Sequence, residues 1–500
     1  MNGPVGKSSG EAGASSPARD TQAADETFDP ELKKSVRRKV DLHLLITLCF
    51  LFLLSFMDRI NIGNVGVLGI VEDLHLVGRA FNVAVQVFFA TYIPFAVPIT
   101  LALKRSKPAV WICAMSCLWG IACMCQGFVR SIGGLVACRI FIGLFEAGFV
   151  PGCAYLMSMY YKPHELQMRM SLFWCAGLLA GASSGLLAYA LVHMQGLSGK
   201  AGWRWVLIIE GLLSVAASPL VYRFLPNWPE QAKFLSKEEK LYLAGRTSVD
   251  VRGSSRMDEL DRAARNRILL DWRIWCASLI YFGITVNGYA TALFIPTIIS
   301  SIGYSGIQSQ IHSIPVWLTA AATTFVTSIV SDKMKRRYVF IMLGVLLASI
   351  GYIILLAQGP LATPHHAQVG LKPQVRYMAV FLVTTGCYIV QPMAVVWLAN
   401  SLRGHHERAF GLPIQVAVGN IGGIIASNVF VRADAPRYFV GYGVCLAMLL
   451  LCGVMSTIFA LGLRRESNKR VSGDRDGMQM TAESSQANVR DDDPEFRFII

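Results

Sequence analysis

Five ionisable side chains lie inside long apolar stretches of the sequence, where a charge costs about 3 kcal/mol and is retained chiefly for a purpose. They are Asp58, Arg59, Arg139, Glu146 and Glu210. A carboxyl group in such a place can bind and release a proton, and a guanidinium can bind an anion or fasten a neighbouring helix. These residues are therefore the first candidates for the chemistry of the protein.

Arg139 and Glu146 are seven residues apart, which on an α-helix is about 20° around the axis and about 10 Å along it. They share one face, and Gly143 leaves room on it for a partner helix or for the arginine to reach toward the carboxylate. The pair is either a structural ion pair or a functional one, and we favour the functional interpretation. Glu210 is interpreted as structural.

The elements that must hold these residues are membrane-spanning helices. The 500-residue chain is 54% hydrophobic and only 16% charged, with a mean hydropathy of +0.47. Stretches long enough to cross a bilayer, about 20 residues each, occur near 42–62, 80–103, 109–128, 132–157, 168–192, 203–223, 272–294, 312–331, 338–357, 376–399, 409–431 and 440–463. The sequence predicts an all-α membrane protein with twelve transmembrane helices, which excludes a secreted disulfide scaffold, a disordered protein and an ordinary cytosolic enzyme.

The spans fall into two equal groups, which indicates a duplicated six-helix unit. We predict five segments: a disordered tail 1–40, a six-helix bundle 41–223, a connector 224–271, a second bundle 272–463 and a tail 464–500. Basic turns follow the second and the eighth span, the same place in each half. Two-fold repeats of this kind are typical of transporters that bind substrate between the halves near the midplane.

The distribution of basic residues predicts the orientation. With both termini inside, 36 of the 46 Lys and Arg lie on inner segments and 8 on outer ones, as the positive-inside rule requires. We expect a multi-pass plasma membrane protein with cytosolic termini. The net charge of +14 then reflects contact with cytosol and lipid headgroups rather than with nucleic acid.

Several ordered motifs resemble the major facilitator superfamily and, within it, the anion:cation symporter family, most closely its fungal allantoate and nicotinate permease branch. The motifs are Asp58-Arg59-Ile60-Asn61-Ile62-Gly63-Asn64, Arg139-x3-Gly143-x2-Glu146-Ala147-Gly148-x2-Pro151-Gly152, Gly202-Trp203-Arg204-Trp205 with Glu210, and Trp397-x2-Asn400. The resemblance covers nearly the whole membrane region. It implies the major facilitator fold and transport by alternating access.

The resemblance also implies roles for individual residues. In the symporters that this chain resembles, a first-helix Asp and a fourth-helix Glu take part in proton coupling, and a fourth-helix Arg stabilises or gates that Glu. The matching residues are Asp58, Glu146 and Arg139. Arg59 either contacts an anionic substrate, neutralises Asp58 or reaches the outer headgroups.

The second half offers polar and aromatic side chains that could orient a planar carboxylate. The candidates for substrate binding, with Arg59, are Asn287, Tyr388, Gln391 and Asn420. We expect a monomer in membrane lipid that imports a small organic anion, such as a vitamin, a nicotinate-like or an allantoate-like carboxylate, together with protons. An exporter of a fungal secondary metabolite and a solute sensor that does not transport remain as alternatives, although the last tail is short for a sensor.

The sequence lacks complete motifs of several enzyme classes. His405-His406 lacks the Asp of an HHxxxD acyltransferase, HExxH is absent, and Gly3-Pro4-Val5-Gly6-Lys7-Ser8 is two residues too short for a phosphate loop. The twelve Cys lie mostly in apolar spans without the spacing of metal ligands, so they are interpreted as small hydrophobic residues. We predict no enzyme activity, no cofactor and no metal.

Overall fold

The computed structural model describes residues 30–243 and 269–471, apart from 105, 162, 335, 358–370, 403–404, 432–433 and 436. We label its spans α1 to α12. The first six are α1 Ile46–Gly66, α2 Ala80–Lys104, α3 Pro108–Gln126, α4 Ile132–Glu146 with Phe149–Tyr160, α5 Pro163–Val192 and α6 Gly202–Phe224. The other six are α7 Trp272–Ser301, α8 Gly306–Met334, α9 Arg337–Leu356, α10 Pro373–Ser401, α11 His405–Val429 and α12 Phe439–Val471.

Among the described residues, eleven helices are long and apolar enough to cross a membrane. The twelfth span, α2, is 25 residues long, and its apolar part is Ala80–Ala96. The prediction of an all-α membrane protein with twelve spans is confirmed. Large parts of the two predicted tails and of the connector lie outside the described residues.

The helix Pro30–Val40 leads into α1 through a single π-helical turn, Asp41–Leu45. Asp41 accepts hydrogen bonds from Arg169 at 2.7 Å and from the Tyr161 hydroxyl at 2.8 Å, so the start of α1 is tied to the ends of α4 and α5. The connector adds a second tie, because Lys39 pairs with Glu239 at 2.7 Å. These contacts lie at the end of the bundle where α1 begins. We call this the terminal end of the bundle and the opposite end the distal end.

Span α4 is broken at Ala147 and Gly148, directly after Glu146. Pro151 explains the break, because its nitrogen has no hydrogen to bond to the carbonyl of Ala147, four residues earlier. The first segment of α4 therefore ends at Glu146, and this carboxylate lies at an irregular point in the middle of the span.

Close packing at glycines brings the two halves together. A Cβ on Gly185 of α5 would lie 2.7 Å from Ser313 Oγ of α8, and a Cβ on Gly181 would collide with the indole of Trp317. Gly177, Gly181 and Gly185 together form a close-packing face of α5, since a Cβ on Gly177 would lie 2.7 Å from the ring of Phe52.

Hydrogen bonds join the halves at the distal end. Asn82 of α2 donates to the carbonyl of Ser427 at 2.6 Å, and Asn428 of α11 donates to Gln86 at 2.8 Å. Gln310 of α8 donates to the Asn64 carbonyl at 3.4 Å. These hydrogen bonds hold the two halves together at the distal end. The bundle is therefore closed on the distal side of the central cavity.

Candidate functional site

A central cavity lies where the two halves meet. Its aromatic lining comes from both halves: Phe52, Phe56, Tyr92 and Trp174 from the first, and Tyr281, Tyr289 and Tyr388 from the second. Arg59, Gln391 and Asn420 add polar groups. The cavity measures about 20 Å³, which is room for one or two water molecules. A small organic ligand does not fit in this conformation, so the lining must move to admit one.

Arg59 lies in the middle of this site and is 5% exposed. Its Nη2 is 2.5 Å from Oε1 of Glu146, and its Nη1 donates to the Tyr289 hydroxyl at 2.9 Å. The guanidinium also lies 5.1 Å from the ring centre of Phe88 and 4.9 Å from that of Tyr92, where cation–π attraction favours it. Arg59 is the one positive charge in the lining of the cavity in the described part of the chain.

Glu146 reaches Arg59 from the break in α4. Its Oε1 accepts from Arg59 and from the Ser55 hydroxyl, while its Oε2 has no hydrogen-bond partner in the described part of the chain. Ser55 is four residues before Arg59 on the same face of α1, and this spacing is the signal in the sequence that could have identified it. Glu146 is thus hydrogen-bonded through one of its two oxygens among the described residues.

The pairing of Glu146 differs from the sequence prediction, which placed Arg139 beside it. Arg139 Nη1 lies 3.5 Å from the Arg59 carbonyl, a weak contact, and its Nε and Nη2 have no partner among the described residues. The physical reason is distance: two turns of α4 separate Arg139 from Glu146, whereas Arg59 approaches from the adjacent helix α1. The two residues share a face, but the ion pair forms between helices.

Asp58 belongs to a different environment from its neighbour Arg59, because successive residues on a helix are turned by about 100°. Asp58 is fully buried among α3 and α6, where Ser214 donates to it at 2.5 Å and the Cys123 thiol lies at 3.5 Å. The three predicted proton-coupling residues therefore occupy two adjoining sites: Glu146 at the cavity, and Asp58 and Arg139 behind it.

The second half supplies most of the predicted ligand-binding residues. Tyr388, Gln391 and Asn420 line the cavity, and the Tyr388 hydroxyl donates to the Gly288 carbonyl at 3.1 Å. Asn287 is absent from the lining; its amide donates to the Gly283 carbonyl at 2.9 Å, one turn back on α7.

Tyr289 of α7, another polar aromatic residue of the second half, connects the two halves. Its hydroxyl accepts from Arg59 and donates to Asn420 Oδ1 at 2.9 Å, so the chain Arg59, Tyr289, Asn420 links α1 to α11 across the two halves. Its place two residues after Asn287, on an apolar span, gave little indication of this link.

The family model of the Major Facilitator Superfamily matches residues 48–427 of the sequence. The chain belongs to this superfamily. A transporter of this superfamily moves small molecules and is not an enzyme, so the prediction of no enzyme activity is confirmed by the superfamily and its relatives.

The relatives of this superfamily member are fungal transporters. An uncharacterized transporter of Schizosaccharomyces pombe is 31% identical over 94% of this chain and 91% of its own length. The MFS-type transporter cnsO of Penicillium expansum is 30% identical over 95% and 92%. The high-affinity nicotinic acid transporter of Saccharomyces cerevisiae is 28% identical over 88% and 79%. The resemblance to a fungal permease branch is confirmed.

Solved structures agree on the fold. A bacterial homolog of the human lysosomal transporter Spinster, in an inward-facing and occupied conformation, has a TM-score of 0.60 at 17% identity, over 84% of this chain and 96% of its own. This likeness establishes the major facilitator fold for the bundle that holds the site.

Proposed function

We propose that this protein imports a small organic anion together with protons, by alternating access of the central cavity. The observation that carries the proposal is the buried pair of Arg59 and Glu146, joined at 2.5 Å in the middle of the bundle. The same guanidinium can pair with Glu146 or with the carboxylate of a substrate.

The exchange of partners gives a physical reason for coupling. When Glu146 is ionised, it neutralises Arg59, and an arriving carboxylate would put two anions beside one cation in a medium of low dielectric. When Glu146 is protonated without substrate, Arg59 is a buried charge without its partner, which is costly. Proton and substrate together restore one anion for each cation, so each raises the affinity for the other.

The charge of the substrate makes a co-transported proton necessary. An anion that enters a cell with a negative interior works against about 2.3 kcal/mol per charge for each 100 mV. One proton carried in with each carboxylate cancels this electrical work, and further protons would drive accumulation of the substrate. In the proposed orientation both termini are cytosolic, the distal end faces outside, and the protein lies in the plasma membrane.

The shape of the cavity suggests the class of substrate. Tyr92, Tyr289 and Tyr388 line the cavity together with Arg59, and Gln391 lies on the opposite half. A planar carboxylate could bind Arg59 at one end, stack on these rings and hydrogen-bond to the amide. The nicotinic acid transporter among the relatives makes nicotinate the first substrate to test.

The test is uptake of radiolabelled nicotinate by a yeast strain that lacks its own nicotinic acid transporter, with allantoate and other carboxylates in parallel. We expect saturable uptake that rises at acidic external pH and collapses with a protonophore. Uptake indifferent to both treatments would contradict proton coupling. Net efflux from preloaded cells without uptake would favour the exporter, and specific binding without movement would favour the sensor.

A further inference from the structure

Behind the central cavity lies a second group of buried ionisable side chains, enclosed by α1, α3, α4 and α6. Glu210 of α6 is 0% exposed, and neither of its carboxylate oxygens has a hydrogen-bond partner among the described residues. An ionised carboxylate in such a place is expensive unless something neutralises it. A buried carboxyl group with a structural role is normally hydrogen-bonded, and the described residues supply no such bond to Glu210.

Glu210 faces Asp58. Ser214, four residues later on the same face of α6, donates to Asp58 at 2.5 Å, which places Glu210 one helical turn from this contact. The backbones of α3 and α6 are in contact beside them, since a Cβ on Gly211 would lie 2.6 Å from the Gly120 carbonyl oxygen. The two carboxyl groups are therefore neighbours in a tightly packed part of the first half.

The other ionisable groups around Glu210 can be assigned element by element. Span α3 contributes the Cys123 thiol, which lies 3.5 Å from Asp58 and 4.0 Å from the Leu207 carbonyl. Span α4 contributes Arg139, which contacts the Arg59 carbonyl at 3.5 Å and whose charge lies near Cys123, Glu146 and Asp58.

The ionisable groups of the other two helices packed against α6 have partners of their own. On α1, Arg59 is held by Glu146. On α5, Arg169 is paired with Asp41, and Cys175 lies beside Cys49.

A count of charges shows that this region must hold a proton. The two arginines stay charged, and with three ionised carboxylates the buried set would carry a net charge of −1. Arg59 and Glu146 neutralise each other, so Arg139 can balance only one of Asp58 and Glu210. Asp58 has two donors and is the better-stabilised anion, whereas Glu210 has none among the described residues. Glu210 is then the carboxyl that is protonated at rest.

We propose that Asp58 and Glu210 together form a second proton site of the transport cycle, sharing one exchangeable proton that rests on Glu210. The proposal rests on the proposed proton-coupled import. In the exchange the O–H bond of Glu210 breaks and one forms on Asp58, and the negative charge moves in the opposite direction. Arg139 links this site to the cavity, since it contacts the Arg59 carbonyl at 3.5 Å.

The test is the number of protons that enter with each substrate. Purified protein in liposomes is given radiolabelled nicotinate, and proton uptake is followed with a pH-sensitive dye. With Glu146 and the Asp58–Glu210 pair both active, we expect a ratio of about two for the native protein and about one for Glu210→Gln. At an imposed gradient of one pH unit, the loss of one proton lowers the steady-state accumulation about tenfold.

Further variants separate a proton site from a structural side chain. Glu210→Asp keeps a carboxyl and should restore the higher ratio. Asp58→Asn combined with Glu210→Gln should match either single variant, because the pair carries one proton. Gln126→Leu is the control: this α3 side chain is buried and its amide has no partner among the described residues, but it cannot titrate.

The outcomes are distinguishable because the ratio does not depend on the amount of protein recovered. A native ratio for Glu210→Gln would overturn the second proton site and leave the proposed import intact. A further fall in the double variant would overturn the shared proton. Native uptake that ignores pH and protonophore would instead refute the proposed function itself.

Discussion

The two halves of the bundle bring different chemistry to one cavity. The first half supplies an ion pair, Arg59 with Glu146, backed by the buried carboxyls of Asp58 and Glu210. The second half meets it with tyrosine rings and amides, among them Gln391. Charge balance, and with it the proposed proton coupling, is therefore concentrated in the first half, while the second half offers shape and hydrogen-bonding groups to the proposed ligand. Substitutions in the two halves should therefore have different phenotypes.

The largest effect should follow from removing the central cation. Arg59→Gln leaves Glu146 without its partner and the substrate without its anchor. Breaking a buried pair costs about 3–5 kcal/mol, so we expect uptake per molecule to fall at least about 100-fold. The measurement is radiolabelled nicotinate uptake normalised to surface abundance.

The control for this variant is Arg169→Gln. Arg169 is also paired with an aspartate, at 2.7 Å from Asp41, but at the terminal end of the bundle. It should reduce abundance more than transport per molecule. More than a tenth of native uptake in Arg59→Gln would remove Arg59 from the substrate site.

A smaller effect should follow from changing the second half. Gln391→Ala removes an amide from the cavity and should raise KM by up to about tenfold, because a hydrogen bond to an uncharged group is worth about 0.5–1.5 kcal/mol. The dependence of uptake on pH should stay native. Asn287→Ala is the matched control, since its amide bonds back to α7 outside the cavity lining; it should leave KM unchanged. A shifted pH profile of uptake for Gln391→Ala would contradict the assignment of proton coupling to the first half and of ligand contacts to the second half.

The smallest effect is expected at a carboxylate outside the membrane. Burial alone would raise the pKa of Glu239, but hydrogen bonds from Lys39 and from the Ser236 backbone outweigh it and lower the pKa. A lowered pKa stabilises the fold above the unfolded pKa, and this contribution disappears as the pH falls through the folded pKa. Because Lys39 is 42% exposed, solvent screens the pair, and Glu239→Gln should cost at most about 1 kcal/mol.

Thermal unfolding in detergent at pH 7 and near pH 4 checks this expectation, and the difference between the two proteins should shrink at the lower pH. Transport per molecule should keep its native pH profile. A changed profile would mean that loss of any buried carboxylate disturbs coupling, and it would weaken the special place given to Glu146.

The sequence predicts much of the architecture and the inventory of the site, but not its pairings. Apolar length alone locates the spans, because lipid forces them to be helices. Helix periodicity places Arg139 and Glu146 on one face, yet it cannot show that Arg59 approaches Glu146 more closely from α1. The sequence also does not show that Asp58 and Arg59, although adjacent in the chain, point into different environments. These contacts depend on how the helices pack. Glycines such as Gly211 allow the backbones of neighbouring helices to approach each other closely.

The measurement that tests the central claim most directly is counterflow exchange by Glu146→Gln. This variant mimics the protonated carboxyl, so Arg59 remains available to the substrate at every pH. We predict that exchange of labelled for unlabelled nicotinate survives and becomes independent of pH, whereas accumulation driven by a proton gradient is lost. Native accumulation at acidic pH with normal abundance would contradict the account and reduce the Arg59–Glu146 pair to a structural ion pair.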